Sequence, residues 1–175
     1  MSKKDFDSFL SSHEKKQQES TIDWDKQKDE WLDYIESFYN QVEAWFAPYV
    51  EAGRVSYGYS PKTLVEDHIG SYEVKNMKID FAGQSVVLEP VGTLLIGTKG
   101  RIDMEGARGR VQFILADKNS SGVNVRVSIN KPIPEEKPKE IEWVWKLVLR
   151  DSRRVKFEDF NESNFFDALM EIIYA

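Results

Sequence analysis

The sequence predicts an α+β fold: an antiparallel sheet of about six to eight strands, covered by a long N-terminal helix and a C-terminal amphipathic helix. Three observations carry this expectation. Trp31, Ile35, Phe38, Val42, Trp45 and Tyr49 recur at intervals of three and four through a stretch without glycine, which is the period of a helix with one apolar stripe. Residues 54–160 then break into short apolar runs, cut every few residues by glycine, proline or asparagine, the pattern of strands joined by tight turns. Finally Phe165, Phe166, Leu169, Ile172 and Ile173 form a second helical stripe at the end.

At 175 residues the chain is long enough for one domain with a substantial core and short for two. Residues 1–20 are polar apart from Phe6, Phe9 and Leu10, which share helical spacing, and are expected to form a tail or a short helix ahead of a single domain at 21–175. Within that domain, 21–52 reads as the long helix. Thr21 or Asp23 can cap its first turn, Leu32, Tyr39 and Phe46 widen its stripe, Pro48 is expected to kink or end it, and Gly53 stops it.

The sheet region 54–160 begins with Val55, Tyr57 and Tyr59 in alternation, which Ser60 and Pro61 are expected to break. Tyr72 and Val74 occupy one phase and Met77, Ile79 and Phe81 the other, which predicts a bulge near Lys75 and Asn76. Residues 82–84 turn into a strand at 86–88, and Pro90 and Gly92 punctuate a further strand at 93–96. Turns at 98–100 and 106–109 lead into strands at 101–105 and 110–116, and 119–122 lead to a strand at 123–129. Residues 131–140 hold three of the six prolines and read as an exposed extended loop. A strand at 141–149 carries Trp143 and Trp145 on one face, and Asn161 or Ser163 caps the closing helix at 161–174.

Composition narrows the function classes. Absence of cysteine removes disulfides, thiolate metal sites and cysteine nucleophiles together. No apolar leader and no run of about 18 apolar residues is visible, so a cytoplasmic protein of bacterial type, away from membranes, is expected. The net charge of -6 is concentrated: residues 1–53 hold 12 Asp and Glu against 6 Lys, and the rest of the chain is balanced. Such a helix repels phosphates and favours basic partners.

The densest chemistry lies in 85–118. Arg101, Asp103 and Glu105 alternate with Ile102 and Met104, as on a strand with one wet face, and Arg108 and Arg110 on the next strand can pair with those acids or bind a small ligand or nucleotide. The stretch around Asp103 resembles the core of the PD-(D/E)xK nucleases, which implies a metal-dependent phosphodiesterase with Asp103, Glu105 and Lys118 as catalytic groups, joined by Glu89. The match is degenerate, because Ala116 stands where the acid of the acid-x-Lys triplet belongs and Asp117 would point to the opposite face. Arg150, Arg153, Arg154 and Lys156, beside Trp143 and Trp145, form the best candidate for nucleic-acid contact. His68, next to Glu66 and Asp67, lacks distant ligands, so neither a metal site nor a cofactor is expected.

No catalytic motif is completed. The expected function is therefore a non-enzymatic protein-interaction module, accessory or immunity/antitoxin-like. It would dock a protein partner through Phe6, Phe9, Leu10, Trp24 and Trp31 or through the acidic helix, with homo-oligomers compatible and nucleic acid less so. The degenerate nuclease and the small-ligand binder are the alternatives.

Overall fold

Asp23 opens the long helix: its carboxylate accepts the Lys26 amide at 3.0 Å, satisfying one of the first-turn N–H groups that a helix leaves unpaired. The computed structural model describes residues 3–19, 23–93, 99–119, 142–151 and 154–173, without the side chains of 12–19 and 151. The element order is α1 (Lys3–Glu19), α2 (Trp24–Glu51), β1 (Val55–Glu66), β2 (Gly70–Phe81), β3 (Gln84–Gly92), β4 (Gly100–Gly106), β5 (Gly109–Asp117), β6 (Trp143–Asp151), β7 (Arg154–Asp159) and α3 (Glu162–Ile173). Among the described residues no helix is long and apolar enough to cross a membrane.

The seven strands pair antiparallel in chain order, each with its sequence neighbour. One face of this meander is covered by α2 and α3, so the fold is α+β as predicted. Trp31, Ile35, Phe38, Val42 and Phe46 of α2 join Phe165, Leu169 and Ile172 of α3 and inward residues of the strands in one apolar cluster. Aromatic rings form its centre: Phe38 meets Phe113, Trp145 and Phe160 at 5.1, 5.0 and 4.8 Å between centroids. At the far end Asn161 caps α3, accepting the Asn164 amide at 2.9 Å, and the amide of Arg108 in the β4–β5 turn donates to the Ile172 carbonyl at 2.8 Å.

Four local expectations need correction. Pro61 does not end β1, which runs on to Glu66; as the outermost strand of the sheet, β1 has one edge on which a missing N–H costs no ladder bond. Pro90 likewise lies inside β3, where the β3–β4 register shifts between Pro90 and Gly92, and Thr93 follows β3 rather than starting a new strand. No bulge interrupts β1 and β2, whose register is continuous from Val55 opposite Phe81 to Glu66 opposite Gly70. The change of buried phase is real, yet its cause is different: β3 pairs with β2 only from Met77 onward, and the unsupported outer ribbon turns so that Leu64, Tyr72 and Val74 become its buried side chains. Lastly, residues 154–159 form a seventh strand that the sequence pattern left unassigned. Thr21 and the expected strands at 94–96 and 123–129 lie outside the described residues, as does the proline-rich 131–140.

Trp31 sits fully buried at the start of β4, directly over Gly100. A Cβ on residue 100 would fall 2.2 Å from the indole ring, closer than any side-chain contact allows. Gly100→Ala is therefore expected to cost about 2 kcal/mol of unfolding free energy, in the range of core overpacking. The control is Gly58→Ala, whose Cβ meets nothing within 4 Å. Urea denaturation of the two variants checks this, and equal midpoints would contradict the close packing.

Candidate functional site

Of the charged residues singled out in the sequence, Glu89, Arg101, Asp103, Glu105 and Arg110 come together on the sheet face opposite the helices. Asp103 stands between Glu89 on β3 and Gln112 on β5, and Gln112 stands beside Val148 on β6. Cross-strand neighbours share a face, so Arg101, Asp103, Glu105, Arg110 and Gln112 line one surface. Arg101 Nε lies 2.9 Å from Asp103 Oδ1, and its Nη2 donates to Oδ2 at 3.2 Å. Arg110 lies 3.8 Å from Asp103 and 3.1 Å from Glu105, while Lys62 reaches Glu89 at 2.5 Å and Arg150 donates to Gln112 at 3.2 Å. The arginines thus engage acids and an amide of their own sheet. Arg108 stands apart in the β4–β5 turn, exposed.

The groups of the nuclease-like reading do not converge. Lys118 follows the end of β5, six residues beyond Gln112, which at about 3.3 Å per residue is some 20 Å from the row of Asp103. Its ammonium lies instead 3.4 Å from Glu142. Glu105 and Glu89 flank Asp103 on the same face, but both pair with cations. Among the described residues no group of three His, Cys, Asp or Glu side chains is arranged to hold a metal ion. His68 stacks on Trp24 at 4.9 Å with 10° between the planes.

Of the basic patch, Arg150 and Arg154 lie on the β6–β7 hairpin and Arg153 falls outside the described residues. Arg110, Gln112, Val148 and Arg150 line a shallow hollow of about 400 Å³. Trp145 is turned into the core, where its indole N–H donates to the Tyr34 carbonyl at 3.1 Å, and so offers no stacking surface for a base.

The residues expected to meet a partner divide. Phe6, Phe9 and Leu10 lie on α1 and are 62%, 60% and 40% exposed. Trp24 is half-buried against His68, and Trp31 is a correction: it is fully buried, because it begins the α2 stripe and closes the core over Gly100. The outer surface of α2 carries Asp25, Asp29, Asp33 and Glu36, all exposed and spaced three or four residues apart, hence on one face.

Two features escaped the sequence because their parts are far apart in the chain. Glu66 accepts the Thr93 amide at 2.6 Å, the Thr93 hydroxyl at 3.0 Å and the Tyr72 hydroxyl, fastening the β1–β2 ribbon to the end of β3. Between that ribbon and α2, a cavity of about 380 Å³ is lined by Ile35, Glu36, Tyr39, Glu43, Tyr59 and Glu73. Tyr39 donates to the Lys75 carbonyl at 2.5 Å and Tyr59 to Glu43. Burial raises both phenols above their ordinary range, so they stay protonated donors. No protein-family model, curated protein or solved structure matches this chain.

Burial pushes the Asp103 carboxyl above its ordinary value, against the opposing pull of Arg101 and Arg110. The folded protein then holds this proton more tightly than the unfolded chain, whose Asp titrates near about 4, so stability falls as pH rises from there through the raised value. Asp103→Asn removes that dependence. The stability of the native sequence minus that of Asp103→Asn, followed by urea unfolding across the acid range, is expected to decline with rising pH; an increase would mean that the arginines outweigh burial.

Proposed function

We propose that the protein is a non-enzymatic protein-interaction module, accessory or immunity/antitoxin-like, of bacterial cytosolic type, which presents α1 and the outer face of α2 to partners. The observation that carries this reading is the division of α2 into two surfaces. Its aromatic stripe is consumed by the core, while Asp25, Asp29, Asp33 and Glu36 face outward. A row of four carboxylates over about three turns gives a basic partner long-range attraction and a fixed register. Exposed Phe6, Phe9 and Leu10 on α1 add the apolar contact that charge alone does not supply.

The alternatives have weaker support. A phosphodiesterase needs Lys118 near Asp103, and it stands off by about 20 Å along β5 and pairs with Glu142. A nucleotide binder needs Arg101 and Arg110 turned toward a ligand, and both are engaged with Asp103 or Glu105.

Capture from host extract, with light scattering on the eluted material, tests the proposal. The full chain is expected to retain a stoichiometric basic partner, and Asp29→Lys with Asp33→Lys is expected to reduce capture about tenfold or more, as removal of a central charge row does. Both substituted side chains are exposed, so folding is expected to be unchanged. Recovery of the chain with no other protein bound would overturn the partner reading.

A further inference from the structure

The end of the molecule opposite Trp31 carries an apolar groove. It runs between the last turns of α2 and α3, has a volume of about 450 Å³, and is lined chiefly by Phe46, Tyr49, Phe81, Phe166, Leu169 and Met170. Tyr49 and Met170 on its rim are 41% and 45% exposed. Two helices side by side with an apolar furrow between them form a seat for a third amphipathic helix.

We infer that this groove receives α1 from a second copy of the chain, so that two copies exchange helices about a two-fold axis. This rests on α1 being a docking element, as proposed above, and names what it docks on. The apolar surfaces match in kind. Phe6, Phe9 and Leu10 occupy one face of α1 at i, i+3 and i+4, the anchor spacing of helix-in-groove recognition. The rim charges agree outside the groove: Lys3, one turn before Phe6 on the same face, and Lys4 are exposed, while the outer side of α3 next to Met170 exposes Asp167 and Glu171 and α2 ends in exposed Glu51; within the lining Arg54 is the one charged side chain, so the match there rests on the apolar contacts.

Reach excludes the chain's own helix. Phe46 and Tyr49 lie about 35 to 39 Å along α2 from Asp23, at 1.5 Å per residue. The span from Glu19 to Asp23 is at most about 14 Å, and part of it must cross the 8–10 Å between packed helices. Doubled back on α2, the same chain's α1 carries Phe6 to no more than about 30 Å and Phe9 and Leu10 to about 25 Å. A second copy has no such limit, and a reciprocal arrangement fills both grooves at once.

Light scattering after size exclusion, from low micromolar to high micromolar full-length protein, reads the outcome. The native sequence is expected to be a dimer. Phe6→Asp with Leu10→Asp on one chain, or Met170→Asp on another, is expected to weaken self-association about tenfold or more and give monomers; because all three side chains are exposed, these monomers are expected to unfold cooperatively at the midpoint that the native sequence shows when diluted to monomer. Mixing the two variants is expected to restore a heterodimer, since the Met170→Asp chain still offers an intact α1 and its partner an intact groove. A native protein that stays monomeric throughout, with α1 free or folded into the cavity between α2 and the β1–β2 ribbon, would overturn the inference. So would a dimer indifferent to both variants. Loss of an unrelated partner on Asp29→Lys with Asp33→Lys, in a protein that is always monomeric, would leave the interaction-module reading standing while removing helix exchange.

Discussion

Burial of the α2 stripe is the interaction on which the rest of the molecule depends. A helix of 28 residues that places Trp31, Ile35, Phe38, Val42 and Phe46 on one side cannot leave that surface in water, and each such side chain contributes roughly 1.5–3 kcal/mol when buried. A flat row of strands could not follow so long a helix closely. The approach is made possible at Gly100, where the missing side chain admits the Trp31 ring, and at the other end by α3, whose Phe165 and Phe166 pack around Phe46. On the opposite face of the sheet charged side chains stand beside buried Ile114 and Ala116, and the ion pairs from Lys62 to Arg110 solve the problem of placing many charges on adjacent strands.

The same constraint determines what is left over for function. Once the aromatic stripe is committed to the core, the surfaces that remain distinctive are the acidic outer side of α2, the stripe on α1 and the furrow between α2 and α3. Beside them lies the cavity between α2 and the β1–β2 ribbon, lined by Glu36, Tyr39, Glu43, Tyr59 and Glu73, where the Tyr39 and Tyr59 hydroxyls already donate to the Lys75 carbonyl and to Glu43. The acidic side of α2, the α1 stripe and the furrow are the surfaces on which the proposed partner contacts rest.

Much of the architecture was legible in the residues because it rests on local physics. The period of three and four in α2 and α3, the caps at Asp23 and Asn161, and the turns at 82–84 and 106–109 each follow from interactions within a few positions. What was illegible depends on partners far apart. Pro61 and Pro90 looked like strand breakers, yet their tolerance is set by edge position and by a register shift that no local window contains. Glu66 and Thr93 are 27 residues apart, and neither has a neighbour that betrays the bond. Trp31 reads equally well as a docking residue or a core residue until the empty space above Gly100 is known. The pairing of Arg101 and Arg110 with acids was foreseeable from alternation alone, and a strand ending at 116 already placed Lys118 beyond it; that Lys118 pairs with Glu142 was not, since the two are 24 residues apart.

Amide hydrogen exchange, followed residue by residue at several protein concentrations, tests most directly that α1 is a docking element outside a self-sufficient core. Amides of α2 and β3 to β5 are expected to exchange only through global opening at every concentration. Amides of α1 should exchange fast in dilute protein and slow as concentration rises. Protection of α1 equal to that of α2 in dilute, monomeric protein would mean that α1 belongs to the core and is no docking element.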